Sequence, residues 1–352
     1  MNPIETFLRQ CRDRRVFSGA VYAVGDSAGV IARGAVGTLS WDGEEARLDS
    51  IWDLASVTKP IAMLPFMTYL ERGELSLDET IADFLPDYTD TDKANITLRQ
   101  LLTHSGGIPG QQPLYKTAPV KDELMAAVRA LPLRYAPGTD VEYTSQGYMI
   151  LGCILEAIAG KRLDDILQET VFGPLGMEET RFNPPEQLLP RIAATEYCPW
   201  RGRLVRGEVH DENAVVLGGI AGHAGLFSTV DDMSLLCQAM LQAGQGRRTE
   251  WLKPETVRLM TRNHTPKLKL ARGLGWQGKD EEHSPAGELF SPSSYGHTGF
   301  TGTSLWMDPE QDVFAILLTN RVHPTRDNPA IKRARAIFHN LALLAAKAAE
   351  RR

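Results

Sequence analysis

The sequence predicts a mixed α/β (α+β) fold in which one antiparallel β-sheet is flanked by helices and a mostly helical lobe is inserted into it. Strand-like runs lie near both ends of the chain, at 19–26 and 28–37 and again at 302–307 and 313–319. Between them, apolar residues recur mainly at helical spacing. Strands from both ends form one sheet only if the helices between them make a separate lobe. The expected partition is a single domain, 1–352, with an α/β lobe from 1–60 and 285–352 and a helical lobe at about 61–284.

Each element has its own signal. Residues 3–12 read as a short helix. The runs at 19–26 and 28–37 flank a polar turn at 26–28 and so suggest a hairpin. After Ser56, the side chains of Ile61, Met63, Leu64, Met67 and Leu70 make one apolar helical face, which Gly73 can stop. Thr97 opens a capped helix that ends at Ser105-Gly-Gly. Residues 121–131, 147–159, 163–171 and 231–243 read as helices too. Asp308-Pro309 marks the turn between the two late strands, and 330–349, rich in Ala, Leu, Lys and Arg, closes the chain as a helix with a solvated face.

With 352 residues, 43% of them hydrophobic and 23% charged, the chain can bury an ample core without a disulfide or metal staple. A net charge of −6 leaves no basic surplus, which argues against a nucleic-acid partner. Cys11, Cys153, Cys198 and Cys237 form no CxxC pair; Cys153 and Cys237 lie in apolar stretches and read as buried free thiols. No stretch of about 18 apolar residues could span a bilayer, and the N-terminal run carries charges where a secretory leader needs an apolar core. The chain as written is therefore expected in the cytoplasm, or in the periplasm if a signal peptide was removed.

Three motifs carry chemistry. In Ser56-Val57-Thr58-Lys59, helical positions i and i+3 share a face, so the lysine amine can reach the serine hydroxyl. A serine needs a base to become a nucleophile, and a desolvated lysine can be one. On its own, SxxK equally suits a helix start with a solvated lysine. In Glu142-Tyr143-Thr144-Ser145 before an apolar helix, Tyr143 is either a proton relay or a packed aromatic, with Ser145 as helix cap. Tyr295-Gly-His-Thr-Gly-Phe-Thr-Gly302 opens a strand whose glycines would admit a substrate backbone, or make a tight turn.

In this order the three motifs resemble those of the serine β-lactamase and penicillin-binding protein superfamily. The segments 101–109, 218–229 and 209–214 narrow the resemblance to the branch of class C β-lactamases, DD-peptidases and esterases, and within it to the penicillin-binding protein 4B group. The resemblance implies that Ser56 is acylated, that Lys59 is its base partner and that Tyr143 assists proton transfer. It places the oxyanion hole at the N–H groups of Ser56 and Phe300, with Ser145, His297, Thr298 and Gly299 binding substrate. Two departures stand out. Relatives carry asparagine where this chain has Ser145, which offers one donor and a shorter reach, and many have lysine at His297. Strong β-lactamase activity is therefore not expected.

The expected function is hydrolysis of esters, small amides or peptides through an acyl-enzyme. The alternatives are a D-Ala-D-Ala carboxypeptidase that binds penicillin and a catalytically silent penicillin-binding-like module. No cofactor or metal is implied. His210, Asp211 and His223 lack an HExxH helix or a Cys/His cluster and read as pocket-rim residues, while His104 reads as a helix-end hydrogen-bonder. The expected partner is a small ester, amide or peptide, with β-lactams as further candidates; oligomeric state stays open.

Overall fold

The computed structural model describes residues 2–350. Its main sheet is built from both ends of the chain: β1 (Gly19–Gly25), β2 (Val30–Gly37), β8 (Gln277–Gly278), β9 (Tyr295–Thr298), β10 (Ser304–Asp308) and β11 (Val313–Thr319). They lie in the order β2-β1-β11-β10-β9-β8, every pair antiparallel, so that Ala20 faces Thr319 across the β1–β11 junction. Alternation along the strands splits the core in two. Ala20, Tyr22, Val24, Trp306, Ala315 and Leu317 meet the terminal helices Pro3–Asp13 and Ile331–Glu350, including Ile4, Leu8, Phe338 and Ala342. Val21, Ala23, Leu305, Phe314, Ile316 and Leu318 face the large core shared with the helical lobe. Burial on both faces explains why β1 and β11 are continuously apolar.

The helices at Lys121–Ala130, Gln146–Ala159, Val230–Gly244 and Ile331–Glu350 match the expected segments within a residue or two. Two expected helices depart from regularity. The helix after Ser56 is broken: a tight turn at Ala55–Val57 leads into Thr58–Ala62, and a second helix runs Leu64–Glu71. Pro65 has no N–H to offer the carbonyl of Ile61, so the ladder stops at Met63. The 163–171 segment changes from an α-helix at Leu163–Leu167 to a wider π-turn at Gln168–Phe172.

The late strand expected at 302–307 begins at Ser304; residues 299–303 are the turn that joins it to β9. Inside the 61–284 stretch, β8 joins the main sheet and the Val230–Gly244 helix packs on β1 and β11. Short strands complete the fold: β3 (Trp52–Asp53), β4 (Arg181–Phe182), β5 (Tyr197–Cys198), β6 (Arg203–Leu204) and β7 (Leu226–Ser228). β3 and β4 both pair with β7, which delivers the loop before Leu226 to the turn that carries Ser56.

Candidate active site

Ser56 sits in the turn that follows β3. Ala55 before it adopts φ 47°, a left-handed conformation that costs a side chain about 1–2 kcal/mol and bends the chain so that Ser56 faces a cleft. One helical turn on, Lys59 is fully buried and its amine is hydrogen-bonded to three oxygens: Ser56 Oγ at 3.1 Å, Ser145 Oγ at 3.4 Å and the His223 carbonyl at 3.0 Å. As a free amine Lys59 has two N–H groups, which the Ser145 hydroxyl and the His223 carbonyl can accept, and one lone pair, which is then left facing the Ser56 hydroxyl as a base requires. The solvated-lysine alternative for SxxK does not describe this geometry.

Ser145 occupies the cap position of the Gln146–Ala159 helix, but its side chain caps nothing and its hydroxyl meets Lys59 instead. The ring centroid of Tyr143 lies 4.8 Å from Lys59 Nζ, and Tyr143 lines the same cleft as Ser56. His104 braces this tyrosine. It is 2% exposed and has φ 58°. Its Nδ1 accepts the Thr144 N–H, and its ring packs between Tyr143 and Tyr148 at 4.7 Å from each. Burial first, then the charges of Arg272 and Lys59, holds His104 well below the usual imidazole range.

The edge of the cleft is β9 and the turn after it. His297 is 2% exposed, and its Nδ1 donates to the Thr298 carbonyl. Burial, then Lys59 and Arg272, keeps it well below the usual imidazole range, so it stands neutral near pH 7. Gly299 packs straight onto the Ser56 turn: a β-carbon there would run into the Leu54 carbonyl and the Thr303 hydroxyl. Phe300 follows with its side chain 40% exposed and its carbonyl held by Arg321 Nε at 2.7 Å. Among the described residues, neither the Ser56 nor the Phe300 backbone N–H has a protein acceptor, and both residues line the cleft.

Two clefts meet at Ser56 and Phe300. The larger, about 470 Å³, is lined by Tyr143, His297, Thr298 and Gly299 and by the cations Arg272, Arg321, Arg326, Lys332 and Arg335, with Asp327 as its one carboxylate. The smaller, about 150 Å³, is bounded by Ser145, Tyr115, His210, Asp211 and Glu212. Arg272, 6% exposed, is the feature that motif reading missed. Its neighbours in sequence, Ala271 and Gly273, give no hint of a role. It lies 5.8 Å from the Tyr143 ring centroid, and among the described residues its guanidinium has no ion-pair partner. Burial lowers its affinity for a proton.

His210 and Asp211 line the smaller cleft as rim residues, but His223 does not. It is fully buried, donating or accepting at Nε2 with Asp211 Oδ1 at 3.0 Å while its carbonyl receives Lys59. The β3–β7 pairing drives its loop inward, and Gly222 beside it lies against the Tyr148 carbonyl, where a β-carbon would clash. Burial opposes the charge of Asp211, yet His223, the Ala214 N–H and Lys59 outweigh it and hold the carboxyl well below its usual range.

Comparison with known proteins identifies the family. The Beta-lactamase family model matches residues 4–340. A protein named "Putative D-alanyl-D-alanine carboxypeptidase" from Escherichia coli (strain K12) is 35% identical over 320 residues, covering 81% of this chain and 72% of its own. Among solved structures, EstCE1, titled a hydrolase with promiscuous acyltransferase activity, superposes with a TM-score of 0.76 at 21% identity over 95% of this chain and 97% of its own. The octameric penicillin-binding protein homologue from Pyrococcus abyssi gives 0.75 at 21% identity over 97% of this chain and 76% of its own. These two share the fold. The chain thus belongs to the β-lactamase family and is a serine hydrolase of that family.

Proposed function

We propose that the chain hydrolyses small esters, amides or peptides through an acyl-enzyme on Ser56, and that its preferred leaving groups carry a carboxylate, as in a D-Ala-D-Ala carboxypeptidase. The observation that carries the first part is the fixed amine of Lys59, 3.1 Å from Ser56 Oγ. As Oγ attacks the carbonyl carbon, its proton passes to Lys59 Nζ. The carbonyl oxygen becomes an oxyanion between the N–H groups of Ser56 and Phe300. Tyr143 conveys a proton to the leaving group as the carbon–heteroatom bond breaks. Water then attacks the Ser56 ester by the reverse proton path. Each oxyanion donor in such a site is worth about 10²–10³ in kcat.

Arg272 supports the second part, because a buried guanidinium beside the nucleophile with no ion-pair partner favours an anionic substrate group. Neutral His297 leaves that charge to arginine. The name of the Escherichia coli relative points the same way. Incubation with a fluorescent penicillin, nitrophenyl esters and a D-Ala-D-Ala peptide, followed by mass measurement at Ser56, tests both parts. Ser56→Ala should lose about 10⁶ of turnover, as removal of a nucleophile does. Full ester turnover by that variant would sink the assignment, and indifference to a carboxylate on the leaving group would sink the preference.

A further inference from the structure

We infer that Asp53 is the positioning residue of the oxyanion hole, tying the turn that carries Ser56 to the support beneath Phe300. This rests on the acyl-enzyme reading above. Asp53 is 2% exposed, and no lysine or arginine pairs with it among the described residues. Each of its carboxylate oxygens instead takes one backbone N–H. Oδ1 accepts from Ala55 at 2.7 Å, and Oδ2 accepts from His210 at 2.7 Å.

The two bonds lead to opposite halves of the site. Ala55 is the left-handed residue whose conformation directs Ser56 and its N–H into the cleft. A short acceptor on its N–H holds it there against strain. His210 is the residue whose ring stacks on Phe300, with centroids 5.6 Å apart and planes at 30°. That ring is fixed at its far end by Glu196, 2.7 Å from Nε2, and Glu196 is gripped in turn by Arg326. Arg321 also packs on Phe300, 4.2 Å from the ring centroid, and holds its carbonyl.

The main chain at the end of β3 and just beyond it adds two ties: the Asp53 carbonyl accepts Thr301 Oγ1 at 2.7 Å, and the Leu54 carbonyl accepts Thr303 Oγ1 at 2.9 Å. The β9–β10 turn is therefore tied, just after Phe300, to the last residue of β3 and to Leu54 beyond it. Burial raises the Asp53 carboxyl above its usual range, and the two N–H groups oppose that. A fully buried, cation-free carboxylate is costly unless its hydrogen bonds do specific work. Here they set the spacing of two donors that must converge on one oxygen.

The test compares the wild type with Asp53→Asn on nitrophenyl butyrate, and measures binding of phenylboronic acid, whose tetrahedral adduct on the serine mimics the oxyanion stage. The amide keeps the shape and one acceptor but turns an NH₂ toward the other N–H. The expected result is a kcat about 10- to 100-fold lower with KM within about twofold, short of the 10²–10³ lost with a whole donor. Boronic acid affinity should weaken by a similar factor while the melting temperature of the variant stays within a few degrees. If Asp53→Asn fails to fold, His210→Ala serves: it keeps the N–H on Asp53, removes only the ring beneath Phe300, and should show the same kcat-selective loss. Unchanged kcat in a folded variant, or a fall in melting temperature without loss of boronic acid affinity, overturns the proposal. A wild type that turns over no ester would instead overturn the acyl-enzyme reading.

Discussion

At the residue scale, the charges around Ser56 are segregated. Lys59 is held by three oxygens, His297 is neutral, and Arg272 is buried with no ion-pair partner among the described residues. A hydrogen bond from a charged donor contributes about 1.5–3 kcal/mol. Arg272→Gln should therefore raise KM for a peptide with a C-terminal carboxylate by about 10- to 100-fold, leaving a neutral nitrophenyl ester within about twofold. Paired steady-state kinetics on the two substrates check this, and equal effects on both would show that Arg272 only shapes the pocket. Ser56 and Lys59 are legible as a pair because their i, i+3 spacing has chemical meaning, and Tyr143 because its motif resembles one of the superfamily. Arg272 was not legible, since a lone arginine between small residues reads as surface. The part played by His223 was hidden for another reason: it acts toward Lys59 through its backbone carbonyl, which no side-chain pattern reveals.

Among the elements, β9 and its turn show how close the two halves of the site are packed. Gly299→Ala should cost at least about 100-fold in kcat/KM, because the added methyl must displace either the Leu54 carbonyl or Thr303, and both frame the oxyanion donors. Ester kinetics with circular dichroism as a fold control would test it; near-normal turnover would mean that the turn yields freely. Element legibility followed the same logic. β1, β2 and β11 could be read because their patterns are local and long enough. β3, β4 and β7 are two or three residues each and exist only because partners remote in sequence meet. Pro65 broke a helix that its apolar face alone made continuous, since periodicity does not register a missing N–H.

For the whole molecule, the buried histidines set the acid limit. Burial is the main cause for His104, His297 and His339, the last pulled down to about 3 by its apolar cage and Arg335. Folded, these rings refuse a proton that the unfolded chain takes near pH 6.5. Their contribution is thus complete above about pH 6.5 and declines as pH falls below it, toward the depressed folded values. While the folded ring stays unprotonated the slope approaches about 1.4 kcal/mol per pH unit well below pH 6.5, so between pH 6.5 and 5.5 each ring loses about 1 kcal/mol, or about 3 kcal/mol for the three. Asp53, shifted upward, works in the opposite direction. Denaturant titrations at pH 7.5, 6.5 and 5.5 read the slope directly, and a flat profile would show that acid charges other groups first. His339→Leu should flatten it by about one proton.

The placement of β1 between β2 and β11 has a consequence for biosynthesis. A ribosome releases the β1–β2 hairpin early, with one edge bare and β1 apolar on both faces, yet the strand that covers that edge includes Leu317 and Thr319. Nearly the whole polypeptide must emerge before the first strand finds its second neighbour. In that interval the nascent hairpin is a template for pairing with the wrong chain, so the cell must shield it or complete the protein quickly.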